Sequence, residues 1–340
     1  MSLSGNALIM REVNIGLVRK ALKRLRQATK QQIAEVTGLS TVTVGTIIQQ
    51  LEGANEVFEV DLAPSSGGRP AHQFRFNENS AYVLILFTHE QDGQDLLHIR
   101  VANLYGEVVK AQEVALEDIR LESFEPWIDA CLKEYPSIRA IGFGLPGFDV
   151  AGKIIVLDYP ALVGTRLTDA YTHRYHLPVI FENDVNAAAM GYCKRKSIQT
   201  EAAVIYAYFP KRYPPGAGIY LDGHLYKGIR NSAGEISSIP LGIDWLDPLL
   251  YSHPEQFCPA IANVVIAMCS LLNPHSVVLH GSFLTEDSIE TIHKTCAARL
   301  PHTSVPNLIL SDDFTSDYEA GMIAETLDCL EPQLSMLHSV

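Results

Sequence analysis

The residues best suited to chemistry are Glu182-Asn183-Asp184-Val185-Asn186, two carboxylates and two carboxamides within one short stretch. The apolar run Pro178-Val179-Ile180-Phe181 before them reads as a buried strand, and Ala187-Ala188-Ala189-Met190 after them as a helix. Asn183 and Asp184 are therefore expected at a strand-to-helix junction. A carboxylate there either caps the helix or faces a ligand at the carboxyl end of a sheet. Further on, Ser232-Ala233-Gly234-Glu235 sets a carboxylate after a flexible turn. Spacing alone leaves Glu235 open between ligand acceptor and surface residue. Gly142-Phe143-Gly144-Leu145-Pro146-Gly147 matches G-x-G-x-x-G after a strand. A dinucleotide loop must open a helix whose N-terminus takes the pyrophosphate. Here Pro146, Gly147, Asp149 and Gly152 continue as a turn, which argues against that use.

The elements that must hold these groups follow from pattern. Strands are expected over 81–87, 96–102 and 107–114, with a turn at 104–107. A helix over 122–134, a strand over 139–144, and the strand 179–181 with its helix complete one half. The second half repeats the order: strands over 202–207, 218–221 and 225–227, helix 259–271, strand 277–280, helix 287–299, strand 308–310, helix 318–327. Two similar β-β-β-α-β-α halves predict a bilobal α/β body with a ligand cleft between the lobes.

The N-terminal part reads differently. Val18, Ala21, Leu22 and Leu25 share one face of a helix over 14–27, and basic residues cover the rest. Thr29-Lys30-Gln31-Gln32 is a capping box for a short second helix, and Gly38 supplies a turn. Ser40 can cap a third helix over 41–52, whose Val44, Ile47, Ile48 and Leu51 face inward. Thr41 opens that helix. Val42, Thr43, Thr46, Gln49 and Gln50 face outward, a small uncharged surface suited to base edges in a major groove. Gly45 costs helix stability and is read as permitting a close backbone approach. Strands over 56–60 and 73–76 flank a Gly-rich tip bearing Arg69, which can reach a phosphate or a narrow minor groove. Helix-turn-helix plus wing predicts DNA binding; the rival is a winged helix that docks proteins.

Composition bounds the rest. A chain of 340 residues, 47% hydrophobic and 19% charged, belongs with folded globular proteins of two or three units. No unbroken apolar run reaches the roughly 18 residues of a membrane span. No secretory signal pattern opens the chain, and the six cysteines form no C-x-x-C pair, so a cytoplasmic location is expected. Met1-Ser2-Leu3 is left out of the fold reasoning. Residues 1–76 hold nine Lys/Arg and six Asp/Glu; the remainder holds 17 and 33. A basic small unit on an acidic body suggests a nucleic-acid reader joined to something else.

Together these stretches resemble the ROK family of repressors, open reading frames and kinases. Gly67-Gly68-Arg69-Pro70 looks like the wing of its regulators, and 141–147 like its G-x-P-G sugar-side loop. Glu182-Asn183-Asp184-Val185-Asn186-Ala187-Ala188 matches its signature. Tyr220–Gly228, Ala233-Gly234-Glu235-Ile236 and Leu272–Leu279 match the hairpin, turn and late strand that follow. The resemblance implies an actin-like ATPase fold. It implies that Asp184 stands where kinases keep the base for a sugar hydroxyl, with Gly147, Asn183 and Glu235 around the sugar. Set against the family, Phe87–Gly93 has an acidic single-glycine turn where kinases carry Asp-x-Gly-Gly-Thr. Phe209–Gly216 is proline-rich where they carry Gly-Thr-Gly. The family's zinc His falls at Ser238, its Cys motif has no counterpart beyond Cys258 with His253 nearby, and its Pro-Asn-Leu has no match at 157–161.

The expected molecule is an N-terminal winged helix-turn-helix (1–76) followed by a bilobal actin-like body. The first lobe is 77–190, completed by a C-terminal helix at 315–330; the second is 191–314. The expected function is a homo-oligomeric transcriptional regulator, a repressor, binding operator DNA through Thr41, Val42, Thr43, Thr46 and Arg69. It senses a sugar or sugar derivative at Gly147, Asn183, Asp184 and Glu235. Asp184 is a vestigial base, and no catalysis, metal or cofactor is expected. The rivals are an active ATP-dependent sugar kinase and a regulator whose body only dimerises or docks a protein.

Overall fold

The computed structural model describes residues 3–62, 71–91, 93–116, 118–155, 158–301 and 305–330. Helix α1 (Leu3–Leu25) begins well before the residue 14 expected, since no proline interrupts the preceding stretch. Its Ile15, Val18, Ala21 and Leu22 are buried in one core with α2 (Lys30–Thr37) and α3 (Thr41–Gly53). Thr29 forms the expected capping box, Gly38 ends α2 at φ 71°, and Ser40 accepts the Thr43 N–H to cap α3. Strands β1 (Gln27–Thr29), β2 (Val57–Leu62) and β3 (His72–Phe76) form an antiparallel sheet in the order β1-β3-β2. The short β1 has no signal in the sequence. The strands expected at 56–60 and 73–76 are β2 and β3; the tip between them, with Arg69, lies outside the described residues.

The body opens with β4 (Tyr82–Gln91), β5 (Gln94–Asn103), β6 (Val108–Ala115) and α4 (Glu125–Glu134), then β7 (Ile138–Leu145). The hairpin β8 (Phe148–Val150) and β9 (Lys153–Ile155), helix α5 (Leu167–Tyr175), β10 (Val179–Asn183) and α6 (Asp184–Arg195) follow. Five strands pair as β10-β7-β4-β5-β6. The second half contains β11 (Val204–Tyr208), β12 (Gly216–Leu221), β13 (His224–Leu225), α7 (Pro254–Leu272), β14 (Ser276–His280), α8 (Glu286–Ala297), β15 (Asn307–Leu310) and α9 (Phe314–Asp328). Its sheet runs β13-β12-β11-β14-β15. Each sheet is an antiparallel meander with two parallel strands added beside its first strand, so the repeat seen in the sequence is a repeat of topology.

Helices α4 and α5 cover one face of the first sheet, α7 and α8 one face of the second. Between the sheets lie α6, against β11 and β12, and α9, against β4 and β7. These two helices approach closely because each offers a glycine. A Cβ on Gly191 would stand 1.8 Å from the Asp317 carbonyl oxygen, and one on Gly321 1.8 Å from that of Ala187. By length and composition α7, at mean hydropathy 1.5, matches a membrane-crossing helix. Its Phe257, Ile261, Val264 and Val265 are buried in the second-lobe core instead.

Candidate functional site

The junction of β10 and α6 is built by its own polar residues. Asn183, rather than Asp184, is the helix cap: its Oδ1 accepts the N–H groups of Val185 and Asn186, each at 3.0 Å. Its Nδ2 donates to the Gly147 carbonyl at 3.0 Å, tying the turn after β7 to the helix. Asp184 is the first residue of α6, and its Oδ1 accepts the Val185 N–H at 2.9 Å. Glu182, 4% exposed, accepts from the Asn183 N–H at 2.9 Å and from Asn186 Nδ2 at 3.2 Å, and pairs with Lys227 of the second lobe.

A cavity opens above this junction, at the carboxyl ends of the parallel strands of both sheets. Its wall contains Gly147, Asn183, Asp184 and Glu235, so the structure brings together all four residues expected to hold a ligand. It also contains Asp158, Asn186, Asn231 and the tyrosines 159, 208 and 213. Asp158 was not foreseen, because its stretch departs from the family pattern; an acid flanked by Leu157 and Tyr159 was the available signal. Crowding of acids sets the electrostatics. Burial, then the charges of Asp184 and Asp95, push the Asp158 carboxyl up to about 7. Burial, with Glu235 adding to it, pushes Asp184 up to about 6. Burial likewise raises Glu235, which is half-buried and lines the cavity.

The facing side of the cavity is formed by the end of β4, at the β4–β5 turn, and the stretch between β11 and β12. At the β4–β5 turn, the Gly93 N–H is held by Glu90 Oε1 at 2.6 Å; Asp92 lies outside the described residues. Pro210, Pro214 and Pro215 line the stretch between β11 and β12. Rings from both lobes meet there: Phe314 at the start of α9 stacks on Tyr208 with centroids 4.3 Å apart and on His89 at 5.1 Å, and His280 lies 5.4 Å away. Burial, with His98 and His280 adding to it, lowers His89 to about 4, so this imidazole is neutral near pH 7.

The G-x-G-x-x-G stretch leads into the β8–β9 hairpin, not a helix. Gly142 and Gly144 serve packing: Cβ atoms there would lie 2.0 Å from Thr326 Oγ1 and 2.5 Å from the Tyr318 hydroxyl, both on α9. Ser238 lies in a short helical turn, His253 precedes α7, and Cys258 is buried within it. Among the described residues no group of three or more His, Cys, Asp or Glu side chains could hold a metal ion.

In the N-terminal unit, Thr41, Val42 and Thr46 are exposed on α3, Val42 at 78%. Thr43 is half-buried, with its hydroxyl 2.8 Å from Ser40 Oγ, and Thr46 donates to the Val42 carbonyl. A Cβ on Gly45 would meet nothing closer than 3.9 Å, so packing within the chain does not require this glycine. Basic residues in and just beyond α1 are engaged internally: Arg11 donates to Gln50 Oε1 at 2.8 Å, and Lys23 lies 5.5 Å over the Phe76 ring. Arg19 forms a bidentate pair with Glu56 at 2.6 and 2.7 Å, and the Arg26 guanidinium lies 3.7 Å over the Tyr105 ring.

Residues 93–244, from β5 through β13 and including most of the cavity wall, match the model of the ROK family. The similarity to the ROK family thus spans somewhat less than half of the chain. A xylose repressor from Bacillus spizizenii is 25% identical over 241 residues, covering 68% of this chain and 61% of that protein. The chain thus matches less than two thirds of that relative's length. Among solved structures, a ROK family transcriptional regulator, a homologue of the E. coli MLC protein, superposes with a TM-score of 0.71 at 18% identity, over 94% of this chain and 98% of that one. A ROK hexokinase from Thermus thermophilus superposes at 0.57 and 18% identity, over 72% of this chain and 97% of that one. The ROK fold accounts for the two-lobed body. A kinase is matched almost entirely by under three quarters of this chain, whereas the regulator is matched over nearly all of it.

Proposed function

We propose that this protein is a sugar-responsive transcriptional repressor of the ROK type, working in the cytoplasm as a homo-oligomer on operator DNA. The observation that carries the reading is an additional N-terminal unit of three helices and three strands joined to a ROK-like body whose sugar-side residues line a cavity. Residues 1–76 act as the winged helix-turn-helix. Thr41, Val42, Thr43 and Thr46 of α3 meet base edges, and Arg69 meets the backbone or minor groove. The first lobe, 77–190 with 315–330, and the second, 191–314, clasp a sugar or sugar derivative. Gly147 and Asn183 shape the wall, and Asp184 and Glu235 accept from the ligand. Ligand binding favours one arrangement of lobes or protomers and thereby changes DNA affinity.

The kinase rival needs an anion cradle. The Gly93 amide bound to Glu90, the prolines on the facing turn and the ring cluster at Phe314 all oppose one. Asp184 is therefore read as a ligand grip without phosphoryl transfer. The test is a fluorescence-anisotropy titration of DNA upstream of the protein's own coding region, with and without a panel of sugars, alongside an ATP-consumption assay on the same panel. Operator binding released by a sugar, with no ATP consumed, supports the proposal. Sugar-dependent ATP turnover abolished by Asp184→Asn would overturn it in favour of a kinase. Failure to bind that DNA at low salt, or binding that no sugar alters, counts for a body that only docks or dimerises.

A further inference from the structure

We infer that the interlobe cavity is built for a positively charged donor, a sugar carrying a free protonated amine. This rests on the sugar-sensing reading and narrows it. Four carboxyl side chains, Glu90, Asp158, Asp184 and Glu235, line the cavity, and among the described residues no lysine or arginine does. His89 supplies no charge, because burial keeps its ring neutral. Arg212 acts on Asp158 from outside the lining and is outweighed by burial and by the neighbouring acids. Removing several carboxylates from water without a cation is costly, and a bound ammonium offsets that cost in a way a hydroxyl does not.

A second observation, independent of charge, points the same way. Asn186 is 4% exposed and lies in the cavity wall. Its Nδ2 donates to Glu182, which fixes the orientation of the amide. Its Oδ1, the end left over, has no hydrogen-bond partner. A buried acceptor without a donor calls for one from a ligand. Tyr159, Tyr208 and Tyr213 also line the wall. A phosphate on the ligand would face four acids and no lysine or arginine among the described lining residues. A metal ion is the other positive charge to consider, but no group of three or more potential ligands is placed to hold one among the described residues.

The test is calorimetric titration of the full-length protein near pH 7 with glucosamine, glucose, N-acetylglucosamine and glucosamine 6-phosphate. Glucosamine is expected to bind at least about tenfold more tightly than the two neutral sugars, as a charge-assisted contact exceeds a neutral one. Asp158→Asn keeps the side-chain shape and relieves repulsion, so it should fold; it is expected to cut the preference for glucosamine over glucose to about twofold. Glu235→Gln serves as the second variant. Equal binding of glucose and glucosamine, or a preference untouched by both variants, overturns the inference while leaving sugar sensing intact. Binding by none of the four also overturns it, and the wider sugar panel in the DNA-release assay then decides the sugar-sensing reading separately.

Discussion

Burial, with the charges of neighbouring acids adding to it, holds the Asp158 and Asp184 carboxyls well above the ordinary range. The sign of the effect on stability follows directly. Between about pH 4 and pH 7 the unfolded chain has released protons that the folded chain still holds, so stability falls as pH rises through this window. Asp158→Asn removes one of the crowded acids. Its melting temperature at pH 8 is expected to exceed that of the parent by about 1–2 °C, the shift that ~1 kcal/mol produces in a chain of this size. The gap should close toward pH 4. Thermal unfolding across that range checks it; a gap that is constant with pH would disprove the crowding. At this scale the sequence was legible where a motif carried it. Gly147, Asn183, Asp184 and Glu235 all reach the cavity wall, though the capping role belongs to Asn183. Asp158 and the ring of Phe314 were not legible, because each acquires its role from a partner distant in the chain. Phe314 meets Tyr208 and His89 across the two lobes, a proximity no local pattern encodes.

Periodicity exposed most elements, since strands buried on one or both faces and core helices carry dense apolar patterns. The elements it missed are those whose order comes from tertiary pairing: β1, of three residues, the β8–β9 hairpin, and α5, of which only Leu167 and Tyr171 are buried. The α6–α9 pair shows what holds the two halves together. Both helices were expected, but their contact was not, because it is set by glycines that look like weak helix positions in isolation. Gly321→Ala places a methyl group against the Ala187 carbonyl, with backbone on both sides and no side chain able to yield. It is expected to destabilise the protein by about 3 kcal/mol or more, beyond the gain in helix propensity. Denaturant unfolding measures this, and a loss below about 1 kcal/mol would show that the helices separate easily. On α3, the element proposed to read DNA, Val42→Ala and Thr46→Ala are expected to alter sequence preference at one or two base pairs. Arg69→Ala should weaken binding across sequences and reduce the salt slope by about 1. Competition binding with operator variants at two salt concentrations separates the two effects.

Across the whole molecule, the cavity and the N-terminal unit are joined by a chain of packed contacts. Phe314 opens α9 within the ring cluster beside the cavity. Farther along α9, Ile323 and Leu327 pack on Gly106, in the turn between β5 and β6; a Cβ there would lie 3.2 Å from Ile323. The preceding Tyr105 sets its ring 5.9 Å from Phe76 of β3 and beneath Arg26, just beyond α1. The Leu104 N–H donates to the Glu78 carbonyl, closing the same junction from the other side. A rigid helix thus runs from the proposed sugar site to the base of the proposed DNA reader. Spatial continuity alone does not establish coupling, so the relay needs a perturbation that spares both ends. Arg26 provides one. It lies at φ 62°, a conformation asparagine adopts readily, so Arg26→Asn removes the guanidinium from the Tyr105 ring without disturbing the turn. The variant is expected to bind operator DNA within about threefold of the parent and to bind sugar unchanged, while the sugar-induced change in DNA affinity falls by about fivefold or more, the lower range of coupling energies. Anisotropy titrations with and without a sugar that raises the melting temperature give all three quantities. If the sugar response persists in full, the signal travels by another route, through the protomer interface rather than along α9.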